Sequence, residues 1–286
     1  MSIIEIKNSN YAVGINTFGS ELTYVKNNSG KDFIWEGNKD VWALRAPIMF
    51  PICGGLKEDV YEFKGKKYTL GKHGFARNLE FSGEKISETK AVFTLLPNDE
   101  TKKSYPFDFC LKVIFELIDT KLKTTYEVTN NGNIVMPFSV GAHEGYACPG
   151  GIEEYEIQFD KPVTLDSYIL NGNLLENNKI TVLEHGTVFP LKYEYFEVDA
   201  LVFKNVDFAS ATLAAKDGSR KVRVEFDGAN YFLLWTKPGA NYICLEPWHG
   251  VQDIVGSGYD IEKKEGIINL NPGESYSAVH TIECTE

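Results

Sequence analysis

The sequence predicts an all-β protein, a large antiparallel β-sandwich, and three features of its 286 residues support this class. Apolar and polar residues alternate with period two in several segments, as in strands that have one solvent-facing side. Turn signals such as Asn-Gly and Asp-Gly separate these segments at short intervals, which is typical of antiparallel hairpins. No segment carries a sustained helical stripe of apolar residues with caps at its ends, so helices should be few and short.

Three segments show the strand pattern most clearly. Residues 121–128, 155–159 and 222–226 each alternate apolar and polar side chains. Two other runs, 231–235 and 242–245, are continuously apolar, and such runs are typical of strands that are covered on both faces. We therefore expect these two runs near the middle of the sandwich.

The segments between these strands contain little that points to helices or to a second domain. A short helical turn is expected at residues 38–44. There is no Pro/Ser-rich tract, charge block or internal repeat that would mark a linker. Residues 1–286 are therefore predicted to form a single sandwich domain.

Composition excludes several functional classes. The net charge of −11, with no basic cluster, disfavours binding to nucleic acid or to an anionic membrane surface. No run of about 18 apolar residues and no basic, apolar leader segment occurs. Five widely spaced cysteines without a Cys-x-x-Cys pair argue against a disulfide framework and a zinc knuckle. The expectation is a cytoplasmic monomer or homodimer that acts on a small, weakly charged molecule.

Residues 244–250 (Cys-Leu-Glu-Pro-Trp-His-Gly) contain the strongest candidate for a catalytic carboxylate. Glu246 follows an apolar run, so it is predicted to lie where a buried strand ends. Pro247 restricts the backbone of Glu246 to extended geometry. A fixed, partly buried carboxylate has a raised pKa and suits a general base. The alternative is an ordinary glutamate exposed at the end of a strand.

His143 is the candidate proton donor. It lies among the small residues Gly141, Ala142 and Gly145, which should leave room for another molecule at the imidazole. His143 and the following glutamate begin like a His-Glu-x-x-His zinc site, but Ala147 stands where the second histidine is required, so no metal is predicted. A structural histidine remains the alternative.

Three further residues could bind a polyhydroxylated ligand. Arg45 and His73 are good donors to hydroxyl and ring oxygens, although each could equally have a structural partner. Trp248 could stack on the apolar face of a sugar ring. Nucleotide-binding glycine motifs and the Gly-x-Ser-x-Gly elbow are missing from the sequence, so the candidates point to acid/base chemistry without a cofactor.

These motifs together resemble the aldose 1-epimerase, or galactose mutarotase-like, family, and in particular its bacterial LacX-like branch. The likeness runs almost from end to end, and the order of the motifs is more specific than any one of them. In chain order they are residues 45–51 (Arg-Ala-Pro-Ile-Met-Phe-Pro), 72–77 (Lys-His-Gly-Phe-Ala-Arg), 141–143 (Gly-Ala-His), 199–203 (Asp-Ala-Leu-Val-Phe), 245–248 (Leu-Glu-Pro-Trp) and 266–275 (Gly-Ile-Ile-Asn-Leu-Asn-Pro-Gly-Glu-Ser).

The resemblance implies a sugar-binding sandwich in which His143 is the general acid and Glu246 the general base. It also implies that Arg45 and His73 contact sugar oxygens and that Trp248 lies beside the ring. The implied activity is exchange of the α and β anomers of a hexose by ring opening and reclosure, with the histidine protonated and the glutamate ionised at the start.

Two alternatives to this activity stay open. One branch of the family acts on hexose 6-phosphates, and Arg45, Lys72 and Arg77 could receive a phosphate. The other alternative is a sugar-binding or sensing protein without catalysis. The resemblance assigns no role to His249 and leaves the identity of the sugar open.

Overall fold

A computed structural model describes residues 2–286 and consists almost entirely of β-strands. It contains one α-helix, α1 (Asp99–Ser104), and five 3₁₀ turns (Lys57–Asp59, Ala76–Asn78, Ile152–Glu154, Tyr193–Phe196 and Ile261–Lys263). The strands are β1 (Ile3–Lys7), β2 (Tyr11–Asn16), β3 (Glu21–Asn27), β4 (Val60–Phe63), β5 (Lys66–Thr69), β6 (Ser82–Ser87), β7 (Lys90–Leu95), β8 (Phe109–Ile118), β9 (Lys121–Asn130), β10 (Met136–Phe138), β11 (Val140–Gly141), β12 (Glu144–Ala147), β13 (Tyr155–Asn171), β14 (Leu174–Pro190), β15 (Leu201–Lys204), β16 (Ser210–Ala215), β17 (Lys221–Asp227), β18 (Tyr231–Trp235), β19 (Tyr242–His249), β20 (Ile268–Leu270) and β21 (Ser275–Thr285).

One 14-stranded sheet dominates the structure. Its main path runs β11-β19-β18-β15-β13-β16-β17-β21-β9-β8-β7-β6, while β12 also pairs with β19 and β14 with β13. Every strand pair in it is antiparallel. A separate sheet, β1-β2-β3, lies at the N-terminus, and β4-β5 and β10-β20 form two short ribbons.

The alternating strands bury one face, as the sequence predicts. In β9 and β17 every second side chain is buried, and the first five residues of β13 follow the same pattern. Apolar residues from both ends of the large sheet meet in one buried cluster, which includes Phe109 on β8 and Phe232 on β18. A sheet of this size must fold over to cover its apolar face, and the result is the predicted antiparallel sandwich.

The two continuous apolar runs have both faces covered, also as predicted. Phe232 on β18 and Leu245 on β19 point into the main core. The alternate residues point to the opposite face, where Leu233, Cys244 and Trp248 belong to two smaller buried clusters. Because side chains alternate along a strand, Glu246 shares this second face with Cys244 and Trp248.

Glu246 lies inside β19, not at its end, so the predicted strand boundary is wrong. The strand continues through Pro247 and ends at His249. The carbonyl of Pro247 accepts a hydrogen bond from the N–H of Ala142. A residue in an antiparallel pair directs its N–H and its C=O toward the same neighbouring strand, so the N–H that proline lacks would also have pointed toward Ala142. The neighbouring strand is interrupted at this point, between β11 and β12, and this break contains His143.

Helical structure is as scarce as expected, but its location differs in part. At residues 38–44 the chain forms a single turn in which the N–H groups of Val41 and Trp42 donate to the carbonyl of Asn38. The one α-helix, α1, was not predicted because its six residues are too few for an apolar stripe. Its start is marked instead by a capping box of Asn98 and Thr101. Within residues 2–286 no helix has the length and apolarity needed to cross a bilayer.

We expect Gly250→Ala to destabilise the protein strongly. Gly250 has a φ of +136°, and a Cβ there would lie 2.2 Å from the Cβ of Ser139. Strain and overpacking together should lower the free energy of unfolding by about 2–4 kcal/mol in urea titrations. Gly273→Ala is the control, because its φ is +77° but nothing lies within 4 Å of the added Cβ. Equal losses in the two variants would contradict the clash with Ser139.

Candidate active site

A cavity of about 220 Å³ opens on the second face of β18 and β19. The break between β11 and β12 supplies His143, and β19 supplies Glu246 and Trp248. The loops that precede β4, β6 and β15 close the sides of the cavity. Its walls are formed by Trp42, Gly54, Lys72, His73, Arg77, His143, Leu170, Asp199, Ala200, Leu233, Trp235, Glu246, Trp248 and Gln252.

His143 and Glu246 meet in this cavity although they are far apart in sequence. Nδ1 of His143 lies 3.5 Å from Oε2 of Glu246, and the side chains are 10% and 1% exposed. Nδ1 is buried and makes no hydrogen bond, so the imidazole must reach the cavity with its other edge. The predicted acid and base therefore lie side by side and can contact one small molecule, although their 3.5 Å separation is longer than a hydrogen bond.

Burial favours the neutral forms of both groups. It raises the pKa of Glu246 well above 4.5, and Asp199 and Glu144 act in the same direction against the hydrogen bond from Trp248. Burial, with the positive charges of Arg77 and Lys72, lowers the pKa of His143 to about 3. The expected ion pair of protonated histidine and ionised glutamate is thus not the favoured state of the free protein.

Trp248 lines the cavity and also donates a hydrogen bond to the carboxylate of Glu246. Its indole Nε1–H donates to Oε2 of Glu246 at 3.2 Å and to the carbonyl of Ala142 at 3.0 Å. The second bond ties the indole to the residue before His143. Trp248 therefore fixes both members of the pair, a role beyond the ring contact that the resemblance implies.

His73 lies in the cavity in a defined tautomer. Its Nδ1 accepts the backbone N–H of Gly54 at 3.1 Å, so the ring carries its proton on Nε2. Burial, with the positive charges nearby, lowers the pKa of His73 well below 6.5. A neutral imidazole with a donor on Nε2 suits a hydrogen bond to an oxygen atom of a ligand.

Arg45 does not line the cavity, so the predicted contact of this residue with a ligand lacks structural support. Its guanidinium donates to the carbonyl of Thr23 on β3 at 3.0 Å, and its backbone N–H donates to Glu21. The ligand contact of Arg45 therefore stays a prediction, and its observed partners are structural. Arg77 and Lys72 are the cations of the cavity.

The cations of the cavity are partly fixed by the protein. Nζ of Lys72 lies 3.5 Å from Oδ2 of Asp199, a residue that also lines the cavity. The guanidinium of Arg77 donates to the carbonyl of Lys72 at 2.9 Å. Asp199 belongs to the motif at residues 199–203 but is not among the predicted site residues. Together these side chains offer donors and an acceptor to hydroxyl groups.

The small residues beside His143 make room for the protein's own side chains and not for a ligand. A Cβ on Gly145 would lie 2.8 Å from the ring of Trp42, and one on Gly141 would lie 2.8 Å from the ring of Trp248. Trp42 stacks on the imidazole of His143 with a centroid distance of 5.3 Å. Trp235 meets the same imidazole edge-on at 5.5 Å. These contacts explain the burial of His143.

Sequence reasoning missed Trp42 and Trp235. Both line the cavity, whereas only Trp248 was selected because it adjoins Glu246. The available signal for Trp42 was a large apolar side chain in a polar turn, which suggests a packing partner elsewhere. His249 lies outside the cavity, where its Nδ1 is hydrogen-bonded to the hydroxyl of Tyr276 at 2.8 Å.

One set of three potential metal ligands was found among residues 2–286. An imidazole nitrogen of His143, Sγ of Cys244 and a carboxylate oxygen of Glu246 lie within 4.8 Å of one another, and all three residues are buried. The sequence excludes a His-Glu-x-x-His site but carries no signal for this combination, because Cys244 is distant from His143 in the chain.

Comparison with known proteins agrees with the fold and the motifs. The aldose 1-epimerase family model matches residues 2–283. Two LacX proteins of Lactococcus lactis subsp. lactis, one chromosomal and one plasmid-encoded, are each 30% identical over 283 residues, covering 94% of this chain and 95% of theirs.

Solved structures show the same likeness in three dimensions. A galactose mutarotase related enzyme from Lactobacillus acidophilus superposes with a TM-score of 0.95 at 31% identity, covering 100% of this chain and 98% of its own. A galactose mutarotase-like protein from Lactobacillus casei gives a TM-score of 0.91 at 27% identity, covering 99% and 100%. The chain therefore belongs to the aldose 1-epimerase family, in its galactose mutarotase-like, LacX-like branch.

Proposed function

We propose that this protein is an aldose 1-epimerase that interconverts the α and β anomers of a hexose. The observation that carries the proposal is the buried pair of His143 and Glu246, whose Nδ1 and Oε2 atoms are 3.5 Å apart in the wall of the cavity. Anomer exchange requires one group that removes a proton and one that donates a proton, both in contact with one sugar.

The reaction opens and recloses the sugar ring. Glu246 takes the proton of the C1 hydroxyl while His143 protonates the ring oxygen, so the C1–O5 bond breaks and an aldehyde forms. Rotation about C1–C2 presents the other face of the carbonyl. The proton transfers then run in reverse and close the ring as the other anomer. His73, through Nε2–H, and Arg77 donate hydrogen bonds that hold the sugar in place.

A single proton shared by the pair satisfies this scheme. Burial favours protonated Glu246 with neutral His143 in the free protein. When the 3.5 Å separation of Oε2 and Nδ1 closes to hydrogen-bond distance in the sugar complex, transfer of that proton produces the ionised glutamate and protonated histidine that act on the sugar. The pair needs no net uptake of protons from solvent, since the same proton serves both states.

The pair should give an unusual pH dependence. Below about pH 3 a second proton binds, because the pKa of His143 is lowered to about 3, and Glu246 can then no longer act as a base. Above the raised pKa of Glu246 the last proton leaves, and His143 can no longer act as an acid. We expect kcat/KM to show no acid limb near pH 6.5 and to fall on the alkaline side as the raised pKa of Glu246 is passed. An acid limb centred near the ordinary histidine value of 6.5 would contradict this assignment.

Polarimetry on freshly dissolved sugars tests the proposed function directly. We expect the protein to accelerate the decay of optical rotation of fresh α-glucose or α-galactose to the equilibrium value. Saturable binding of both sugars without any acceleration would support a sugar-binding or sensing protein instead. A lack of both binding and acceleration would contradict the proposal for these hexoses.

A phosphorylated hexose is the second candidate substrate. Lys72 and Arg77 place two cations in the cavity of a chain whose net charge is −11. Asp199 partly neutralises Lys72, which favours an uncharged sugar. A parallel assay with glucose 6-phosphate distinguishes the two substrates. A higher kcat/KM for the phosphate ester would assign these cations to a phosphate group.

A further inference from the structure

Cys244 lies directly beside the catalytic pair and has no part in the proposed reaction. It precedes Glu246 by two residues on β19, so both side chains lie on the same face of the strand. The relative exposures are 0% for Cys244, 1% for Glu246 and 9% for His143. Their ligand atoms lie within 4.8 Å of one another. A thiol, an imidazole and a carboxylate therefore meet at one buried point.

His143 can offer Nδ1 to a ligand at this point. Nδ1 is buried and makes no hydrogen bond, and its contact at 3.5 Å is Oε2 of Glu246. In a tetrahedral zinc site, nitrogen and oxygen ligands each lie about 2.0–2.2 Å from the metal, which puts them about 3.4 Å from each other. The observed separation of Nδ1 and Oε2, 3.5 Å, is close to this ligand-to-ligand distance. The three ligand atoms lie within 4.8 Å of one another, so a modest closure of the cluster completes the site.

We propose that His143, Cys244 and Glu246 form a binding site for a thiophilic divalent cation such as Zn²⁺. A nitrogen, a thiolate and a carboxylate are all accepted zinc ligands, and three protein ligands leave the fourth position for a water molecule. His143 and Glu246 form part of the cavity wall and Cys244 does not, so an ion that enters from the cavity must pass between these two side chains.

The charge balance suits a buried site. Zn²⁺ replaces the proton of the Cys244 thiol and the proton of the Glu246 carboxylic acid, and both protons leave to solvent. Two positive charges enter and two leave, so the net charge of the dry site does not change. A site with three neutral ligands would instead bury the full charge of the ion.

Bound cation should inhibit the enzyme. It occupies Oε2 of Glu246 and Nδ1 of His143, the atoms between which the catalytic proton moves. This inhibition rests on the proposed function, whereas binding of the cation does not. The two can therefore be tested separately.

Binding is tested by titrating wild-type protein with Co²⁺ in place of Zn²⁺ and recording the thiolate-to-cobalt charge-transfer absorption. We expect a stoichiometric band in the wild type that Zn²⁺ abolishes by displacement. Cys244→Ala should lose the band. Cys148→Ala is the matched control, since Cys148 is also fully buried but lies outside the cluster. A wild type without the band, or a Cys244→Ala variant that keeps it, would overturn the proposed site.

Inhibition is tested in the polarimetric assay with the same three proteins. We expect Zn²⁺ to inhibit wild type and Cys148→Ala equally and a chelator to restore activity. Cys244→Ala should keep its basal activity and require at least about 10-fold more Zn²⁺ for the same inhibition. Equal sensitivity of Cys244→Ala and wild type would overturn the role of the thiol. A cobalt band in a protein without turnover would support the site and reject the proposed function.

Discussion

Glu246→Gln should lower kcat/KM for anomer exchange by about 10³-fold, within the range that a positioned general base contributes. Glutamine cannot accept and release the proton of the C1 hydroxyl, but it has the shape of the neutral carboxylic acid. Sugar binding should persist, because the residues proposed to hold the ring, His73 and Arg77, are unchanged. The loss should therefore appear in kcat and not in KM.

Stability separates this effect from unfolding. Burial raises the pKa of Glu246, so the carboxyl is protonated in the free protein over a wider pH range than an exposed glutamate. Glutamine resembles that protonated form, and the free energy of unfolding should change by less than about 1 kcal/mol. Glu274→Gln, at an exposed turn beside Asn271, is the matched control and should change neither property. Activity of Glu246→Gln close to that of the wild type would remove the assigned base.

Much of the fold could be predicted because strands with one buried face alternate apolar and polar residues along the sequence. The alternating residues 121–128 lie in β9, and the continuous apolar run at 231–235 forms β18. The position of Glu246 within β19 could not be predicted, since proline normally argues against the interior of a sheet. Here the neighbouring strand is itself interrupted at Pro247, and this is a property of tertiary structure.

In the candidate site, too, some residues could be predicted from local sequence and others could not. His143 and Glu246 lie in short motifs, and the structure brings them together. Arg45 also lies in such a motif, but its guanidinium binds the carbonyl of Thr23. Trp42 lies in a turn without any motif, yet it covers the imidazole of His143. Local sequence can suggest chemistry, but the direction of a long side chain depends on partners that only folding selects.

The second large effect concerns the catalytic pair as a unit. His143→Asn should also lower kcat/KM by about 10³-fold, because the ring oxygen loses its proton donor. If the two residues acted independently, the double variant with Glu246→Gln would lose about 10⁶-fold. We expect about the same loss as in either single variant, since residues that act together in one proton transfer give strongly non-additive effects.

The structural reason for this expectation is the shared proton. In the proposed mechanism, the proton that His143 donates is the one that Glu246, 3.5 Å from Nδ1, holds in the free protein. Removing either residue leaves the other without a partner for this exchange, so its remaining contribution is small. Polarimetry on wild type, both single variants and the double variant completes the cycle. A multiplicative loss in the double variant would mean that each residue exchanges its proton with solvent, and that their proximity in the cavity has no catalytic role.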